Sequence, residues 1–349
     1  MSNIQRPTIK DQEPTILVTG GTGLVGAHLL VYLVNKGHKI RAIHRKQSDF
    51  SNVKQVFSYY TQSPDDLFAS IEWVEADLND IPALQQAFDG IIQVYHCAAI
   101  VSFDDRDYEL MRQTNIEGTA NIVNIALKHK IDKFCYVSSV ATLDNQIKKG
   151  EVTEQNIWNP ALVKFDYAIT KYGGEMEVWR GTQEGLNAVI VNPGVILGSG
   201  FWQNNTGLIF SRVSKGFKFY TKGVTGFVGV WDVVKAMVKL MESDITNERY
   251  VLVSENLSYQ EVLSKIANTM DKPEPSRNVS PFVNNLVWIL DSIRAFILRQ
   301  PKVFTKHTVR SAHEKTYYSS EKIENKLLFN FEPMQSVIER CVSDYIKDH

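Results

Sequence analysis

Tyr167 and Lys171 are a pair whose residue types and spacing could do chemistry. They lie four positions apart in the stretch FDYAITKYGG, residues 165 to 174. Residues at i and i+4 share one face of a helix, so a phenol and an ammonium would lie close together there. The pair alone is also compatible with a solvated surface contact, because such a spacing recurs by chance. Its meaning depends on the elements that position it.

A glycine-rich turn follows the first predicted strand. The sequence TGGTGLVG places Gly20, Gly21, Gly23 and Gly26 between the run ILVT and a helical stretch. The early glycines allow a tight turn and close approach to a pyrophosphate, and the last allows the helix to pack on the strand. The N-terminus of that helix offers free N–H groups to phosphate. The pattern predicts a dinucleotide site, and the alternative is a turn that needs glycine only for its backbone geometry.

The second predicted strand ends in a basic stretch, His44-Arg45-Lys46. A site for NAD usually has an acidic residue at this position, whereas an arginine suits the 2′-phosphate of NADP. The planar guanidinium of Arg45 can bind a phosphate in bidentate geometry. We therefore expect NADP(H), with NAD(H) or a merely solvated strand end as alternatives.

Strands and helices alternate through the first half of the chain. Runs rich in β-branched residues predict strands at residues 16–19, 39–44, 71–76, 93–98, 133–139, 187–192 and 249–254. This alternation predicts an α/β fold, a doubly wound parallel sheet with helices on both faces. We expect a Rossmann-type dinucleotide-binding domain over residues 14–195. A smaller, mainly helical substrate region over residues 196–349 should partly return to the main sheet.

Composition argues against several classes of function. With 38 Lys and Arg against 39 Asp and Glu, the formal net charge is −1, which argues against nucleic-acid binding. Three separated cysteines without a CxxC pattern predict neither disulfides nor a metal site. The N-terminal residues lack an apolar signal segment, so we expect a cytoplasmic protein.

Residues 279–298 form an apolar stretch that is interrupted by Asp291 and Arg294. These charges argue against a membrane span. The apolar residues recur at helical spacing, so we expect an amphipathic helix packed on the protein's own core. A lid over an apolar pocket or a contact with a membrane surface is the alternative, and we do not favour membrane contact.

Seven short stretches occur in an order that resembles the extended short-chain dehydrogenase/reductase superfamily, also called the NAD-dependent epimerase/dehydratase family. They are TGGTGLVG, ADL (76–78), HCAA (96–99), TNIEGT (114–119), YVSS (136–139), YAITK (167–171) and NPG (192–194). The likeness continues through FVGVWDVVKA (227–236) into residues 313–333. It therefore covers nearly the whole chain.

The resemblance implies a catalytic set and a cofactor site. Ser139, Tyr167 and Lys171 match the family's catalytic serine, tyrosine and lysine. Asp77 would contact the adenine, and the residues after the sixth strand would lie beside the nicotinamide. The residues implied in cofactor binding are Gly20, Gly21, Gly23, Leu24, Val25, Gly26, Arg45, Asp77, Leu78, Ala98, Ala99, Asn115, Pro193, Gly194 and Val195.

Physical chemistry supports these catalytic roles. A free tyrosine titrates at about pH 10, and a nearby Lys171 ammonium, with an oxidised nicotinamide, would lower the pKa of Tyr167. Tyr167 could then act as general base to an alcohol or general acid to a carbonyl. The Ser139 hydroxyl would hydrogen-bond the same oxygen. We expect hydride transfer between a nicotinamide and a small-molecule secondary alcohol/ketone or aldehyde.

Departures from the family pattern favour one branch. Val140 and Ala141 follow Ser139 where sugar-nucleotide dehydratases carry an Asp-Glu pair, and Val189 stands where many epimerases carry an arginine. With Arg45, this pattern is most similar to the branch of dihydroflavonol reductases and 3β-hydroxysteroid dehydrogenases. A sugar-nucleotide epimerase with retained NAD is the alternative. A nucleotide-sensing binding protein is a third hypothesis, which an intact catalytic set disfavours.

Aromatic residues are frequent on the expected substrate side. Phe103 follows the fourth predicted strand, at the sheet edge where ligands bind, and Phe201 and Trp202 follow the sixth. An apolar, ring-shaped substrate would suit this lining, and ordinary core packing is the alternative. The resemblance also leaves a homodimer through the helices of 107–129 and 166–185 as one option.

Overall fold

A parallel sheet of seven strands forms the centre of the molecule, as expected. The computed structural model describes residues 15–144, 150–162, 164–204, 206–280 and 312–349. Across the sheet the hydrogen-bonded order is β10 (Glu248–Leu252), β6 (Ala188–Pro193), β5 (Lys133–Val137), β4 (Ile91–His96), β1 (Thr15–Thr19), β2 (Lys39–His44) and β3 (Glu72–Glu75). Each of the seven corresponds to a strand predicted from β-branched runs. Every neighbouring pair is parallel.

Helices cover both faces of this sheet. Along the chain they are α1 (Leu24–Asn35), α2 (Ser51–Tyr60), α3 (Pro64–Ala69), α4 (Ile81–Ala87), α5 (Tyr108–Arg112), α6 (Gly118–His129), α7 (Asp166–Gln183), α8 (Gly207–Ser214), α9 (Val230–Glu242), α10 (Tyr259–Thr269), α11 (Glu321–Leu327) and α12 (Met334–Asp348). Successive strand residues point to opposite faces. In β1, Ile16 and Val18 pack with α1, α2 and α9, whereas Leu17 packs on the side of α4, α6 and α7.

The strand order reverses beside β1, which has β2 on one side and β4 on the other. In a doubly wound sheet, the crevice beyond the carboxyl ends of the strands at such a reversal is where ligands bind. Thr19 at the end of β1 pairs with His96 at the end of β4. The chain after these two residues therefore borders the crevice.

The second half of the chain adds a smaller body and returns one strand to the main sheet. A second sheet consists of β7 (Val195–Leu197), β9 (Val224–Gly229) and β11 (Glu255–Ser258), and a strand pair joins β8 (Phe219–Tyr220) to β12 (Arg277–Asn278). With α8, α10 and α12 it encloses its own apolar core. Strand β10 lies at the edge of the main sheet.

The amphipathic helix expected over residues 279–298 lies outside the described residues from position 281 onward. Among the residues that the structure does describe, no helix combines the length and apolar character that crossing a membrane requires.

Candidate active site

The glycine-rich turn has the geometry that a dinucleotide cradle needs. Gly20 has a φ of +70°, and a Cβ there would stand 2.6 Å from the backbone nitrogen of Ala98. A Cβ on Gly26 would stand 2.1 Å from the carbonyl oxygen of Gly20. Only glycine permits this conformation and these approaches. The first turn of α1 carries no acidic side chain, so its N–H groups and partial positive charge are available to a phosphate.

A cavity of about 490 Å³ extends from this turn along the carboxyl ends of β1, β2 and β4. Its lining includes nine of the residues predicted from the sequence: Gly20, Gly23, Leu24, Arg45, Asp77, Leu78, Ala98, Ala99 and Phe201. Thr22, Ser48 and Cys97 also line it, although sequence reasoning had not singled them out. The cavity joins segments from four strand ends, as a groove for an extended nucleotide requires.

Arg45 lies at the far end of this cavity and is exposed. Its backbone N–H donates to the Ser48 hydroxyl at 3.0 Å. The nearby acid, Asp49, accepts hydrogen bonds from the backbone and hydroxyl of Ser51. Among the described residues, the guanidinium of Arg45 makes no ion pair. The cavity therefore ends in a cation that is available to an anionic ligand.

Ser139 and Tyr167 are brought together from different elements, and neither lines this cavity. Ser139 follows β5, and its hydroxyl accepts the backbone N–H of Ala141 at 3.1 Å. Tyr167 lies in the first turn of α7. A hydrogen bond from Ser139 acts to lower the pKa of Tyr167. The two hydroxyls can therefore bind the same substrate oxygen.

Lys171, one turn further along α7, points inward and is 1% exposed. Its ammonium donates to the Tyr136 hydroxyl at 2.9 Å and to the carbonyl oxygen of Val137 at 2.7 Å. It also lies 4.4 Å from the centroid of the Tyr136 ring, a cation–π contact. These contacts hold the ammonium at the end of β5.

The pKa values of the two groups move in opposite directions, and one differs from the expectation. Burial lowers the pKa of Lys171 to about 7, while the charge of Glu175 opposes the shift. The pKa of Tyr167 was expected to fall, but burial raises it, and the hydrogen bond from Ser139 only partly opposes this. Desolvation disfavours both charged forms. The protein's own residues therefore keep Tyr167 protonated, as a proton donor must be.

Asn115 is placed at a helix irregularity. Residues Gln113–Glu117 form one turn of π-helix between α5 and α6. The Asn115 side chain accepts the N–H of Ile100 at 2.8 Å and donates to the Ile100 carbonyl at 2.9 Å and to Thr170 at 3.1 Å. π-turns often mark functional sites. Here Asn115 joins the loop after β4 to the helix that carries Tyr167 and Lys171.

The predicted nicotinamide loop lies where β6 gives way to β7. Pro193 ends β6 and Val195 begins β7. A Cβ on Gly194 would stand 2.4 Å from the carbonyl oxygen of Gly226, so the loop is packed tightly on β9. Like Gly21, Val25, Gly26 and Asn115, these three residues do not line the 490 Å³ cavity.

The three aromatic residues expected at the substrate lie in different environments. Phe103 is 48% exposed, and its ring centroid lies 6.0 Å from Phe165 and 6.3 Å from Tyr167. Phe201 is buried but borders the cofactor cavity. Trp202 instead lies in the C-terminal core against Phe210 and Tyr345.

The indole nitrogen of Trp202 donates to Asp348 at 2.6 Å. The ring is packed inside the protein and its N–H has a hydrogen-bond acceptor there. Trp202 therefore lies in the C-terminal core and not in the substrate pocket where we expected it.

Sequence reasoning missed Glu175, a buried acid one turn after Lys171. The spacing Tyr167–Lys171–Glu175 on one helix face was a signal that could have indicated it. It also missed Tyr136, the hydrogen-bond acceptor for Lys171, and Arg249, which pairs with Glu175 at 2.9 Å.

A second cavity, of about 840 Å³, lies beyond the edge strand β10. Its walls include Trp158, Tyr172 and Arg249 but none of the residues predicted for catalysis or cofactor binding. Larger volume does not make it the better candidate, because the glycine turn lines the smaller cavity, and Cys97 in that lining interacts with Lys171.

Comparison with known proteins agrees with this geometry. The model of the NAD dependent epimerase/dehydratase family matches residues 16–252. A putative dihydroflavonol 4-reductase of Synechocystis sp. is 29% identical over 94% of this chain and 92% of its own length. The sterol demethylase protein B of Methylococcus capsulatus is 28% identical over 85% and 87%, respectively.

Solved structures confirm the Rossmann-type fold. The UDP-glucose 4-epimerase of Thermotoga maritima, with UDP-glucose, superimposes with a TM-score of 0.75 at 18% identity, covering 96% of this chain and 99% of that one. The family is named for epimerases and dehydratases, and the sequence relatives of this chain include reductases. Because the family model spans well over half of the sequence, this chain belongs to the NAD dependent epimerase/dehydratase family and is an enzyme of the oxidoreductase or epimerase type.

Proposed function

We propose that the protein is an NADP(H)-dependent reductase that converts a ketone or aldehyde to an alcohol, with Ser139, Tyr167 and Lys171 as its catalytic residues. The hydrogen bond between Ser139 and Tyr167 supports this proposal, as does the interaction of Lys171 with Cys97, which lines the crevice. In that arrangement a carbonyl oxygen can contact two hydroxyls while its carbon faces the end of the crevice. The similarity to reductases over most of the chain agrees.

The residues of the crevice fit a dinucleotide because a side chain at Gly20 or Gly26 would fill the space that a pyrophosphate needs. Gly20, Gly23 and the start of α1 would hold the pyrophosphate, and Asp77 and Leu78 would border the adenine. A bound nicotinamide would supply the hydride to the carbonyl carbon.

Side chains of the protein would supply the proton that the carbonyl oxygen takes up. Tyr167, protonated because burial raises its pKa, donates its proton to the carbonyl oxygen as negative charge develops there. The Ser139 hydroxyl donates a second hydrogen bond to that oxygen. The Lys171 ammonium, one turn along the same helix, would stabilise the phenolate until a proton from solvent restores it.

Arg45 favours NADP over NAD in this proposal. Its guanidinium is exposed in the cavity wall, while Asp49 is already hydrogen-bonded to Ser51. A 2′-phosphate would gain a charge-assisted contact with Arg45, while the carboxylate of Asp77 in the same cavity wall would border the adenine.

Phe103 and Phe165 suggest the substrate class. Their rings lie 6.0 Å apart, and the Phe165 ring is 6.0 Å from that of Tyr167 in a nearly parallel orientation. An apolar, ring-bearing carbonyl compound would bury this exposed aromatic surface.

The first test identifies the nucleotide that freshly purified protein releases on denaturation, by mass spectrometry with its stoichiometry. We expect a partial load of NADP that exchanges readily, and NADPH oxidation with members of a panel of aromatic ketones and aldehydes. Near-equimolar NAD that survives purification, with turnover of a sugar nucleotide, would establish the epimerase alternative instead.

A further inference from the structure

Glu175 is wholly buried, 0% exposed, at the proposed catalytic edge, by which we mean Ser139, Tyr167, Lys171 and the side chains that hold them. A buried carboxylate is costly unless a cation and hydrogen bonds compensate it. Here the compensation is extensive. Oε1 accepts from Arg249 at 2.9 Å and Trp179 at 3.3 Å, and Oε2 lies within hydrogen-bond distance of Ser138 at 2.5 Å, Thr142 at 2.9 Å and Asn192 at 2.9 Å.

The partners on Oε2 belong to the segments that carry the proposed chemistry. Ser138 immediately precedes Ser139, and the Thr142 hydroxyl lies 2.9 Å from the Ser139 carbonyl oxygen. Asn192 donates to that same carbonyl at 3.2 Å and directly precedes Pro193 in β6. One carboxylate oxygen therefore joins the end of β5, the end of β6 and helix α7.

Arg249 fixes the other carboxylate oxygen from the far side. Its guanidinium also donates to the carbonyl oxygens of Glu154, at 2.7 and 3.1 Å, and Asn156, at 2.9 Å. The arginine is thus held by backbone acceptors on β10's outer side, and Glu175 cannot turn away without breaking the pair. The carboxylate has one orientation available.

We propose that Glu175 is a positioning residue whose buried carboxylate fixes the Ser139 loop and the end of β6 against the helix that carries Tyr167 and Lys171. The inference rests on the proposed catalytic roles of those three residues. Glu175 itself touches neither of the two hydroxyls that would bind the substrate. It acts through Ser138, Thr142 and Asn192.

The charge of Glu175 has a second consequence, at Lys171. Among the described residues, the ionisable groups that interact with this ammonium are Tyr136 from β5, His96 and Cys97 from the end of β4, and Glu175 from α7 itself. Burial keeps His96 neutral and the Cys97 thiol protonated, because it lowers the pKa of the first and raises that of the second. Glu175 is thus the anion that favours the protonated form of Lys171.

The decisive variant is Glu175→Gln, which keeps the shape and removes the charge. We expect kcat to fall about 10- to 100-fold, because small displacements of reacting groups cost that much. The KM for NADPH should stay within about twofold. The titration midpoint of Lys171, followed by NMR on protein with ¹³Cε-labelled lysine, should fall by about one unit.

Glu177→Gln is the matched control. It makes the same change two residues along α7, at a surface ion pair with Arg180 of 2.8 Å. Such pairs contribute little, so kcat and the Lys171 midpoint should match those of the wild type. Should Glu175→Gln fail to fold, Ser138→Ala removes one donor to Oε2 and should lower kcat by about 3- to 10-fold.

A folded Glu175→Gln protein with the wild-type kcat and Lys171 midpoint would overturn the proposal, as would a wild-type kcat in Ser138→Ala where Glu175→Gln does not fold. The titration needs no turnover. A wild-type protein that binds NADPH but reduces no carbonyl compound would therefore overturn the proposed function alone, while a lowered Lys171 midpoint would still support the action of Glu175.

Discussion

The cofactor crevice and the catalytic edge are neighbouring regions, but different parts of the chain give them their geometry. In the crevice, the geometry comes from backbone and small residues: Gly20 and Gly26 approach neighbouring backbone atoms so closely that a Cβ would stand 2.6 and 2.1 Å from them. The residues lie within one short segment after β1. The approach of Gly26 to Gly20 is local, whereas Gly20 approaches Ala98, which follows β4.

At the catalytic edge, the geometry comes from long polar side chains. Lys171 is held by Tyr136 and Val137, and Glu175 by five donors from the segment after β5, from β6, from α7 and from β10. These partners are up to 74 positions away in sequence. The charges here are set by burial rather than by local geometry.

The difference teaches that the two regions should fail differently. In the crevice, close approaches of the backbone leave no room for an added side-chain atom, but the burial of charges adds little free-energy cost there. The catalytic edge is held by buried charges. A substitution that changes one of these charges therefore alters activity or stability, even when it keeps the shape of the side chain.

The sharpest test of the catalytic edge is Tyr167→Phe. Removal of the proton donor should lower kcat by about 10²- to 10⁴-fold. The Kd for NADPH, measured by fluorescence quenching, should stay within about twofold, because the crevice is built from other residues. Substantial remaining activity would show that a different group supplies the proton.

Gly26→Ala tests whether the crevice leaves room for an added side-chain atom. The added Cβ would stand 2.1 Å from the Gly20 carbonyl oxygen, so the turn must shift. We expect the free energy of unfolding to fall by about 1–3 kcal/mol and NADPH binding to weaken. Calorimetry and binding titration measure both.

Gly150→Ala is the matched control, because an added Cβ there meets no described heavy atom within 4 Å. Equal effects of the two changes would contradict the account of the turn.

Lys171→Met separates stability from activity. Burial lowers the pKa of Lys171 from 10.5 to about 7, so between these values the unfolded chain holds the proton more tightly. Below pH 7 the folded protein therefore bears the full free-energy cost of burying the charged form of Lys171. Its free energy of unfolding rises from pH 7 towards pH 10.5.

We expect the inactive methionine variant to be more stable near neutral pH by roughly 2 kcal/mol, since lost hydrogen bonds offset part of the gain. This advantage should shrink as the pH rises, and urea denaturation at several pH values measures it. A variant less stable at every pH would contradict the argument.

Arg45→Ala should change the choice of cofactor and leave the catalytic edge intact. Loss of one charge-assisted contact should weaken NADPH binding about tenfold or more. NADH binding should change little. If both cofactors lose affinity equally, Arg45 does not recognise the 2′-phosphate.

Phe103→Ala and Trp202→Phe should show the smallest effects, and they should differ. Phe103 is exposed beside Tyr167, so its loss should raise the substrate KM severalfold without changing the KM for NADPH. Trp202 lies in the C-terminal core, so its replacement should lower the melting temperature and leave the substrate KM unchanged. The reverse pattern would restore Trp202 to the pocket.

The sequence by itself determined the strands of the main sheet and the crevice residues. β-branched runs and a glycine pattern act over a few neighbouring residues, so they can be read without the fold. The catalytic roles proposed for Tyr167 and Lys171 come from the order of motifs along the chain, which resembles the family, because their spacing on one helix is by itself also compatible with a surface pair.

Tertiary structure alone decided the rest. The partners of Glu175 come from the segment after β5, from β6, α7 and β10, and no local pattern specifies which distant donors meet one carboxylate. The burial of Trp202 and the upward pKa shift of Tyr167 likewise depend on what packs around them. Desolvation is a property of the assembled core, and a single sequence does not display it.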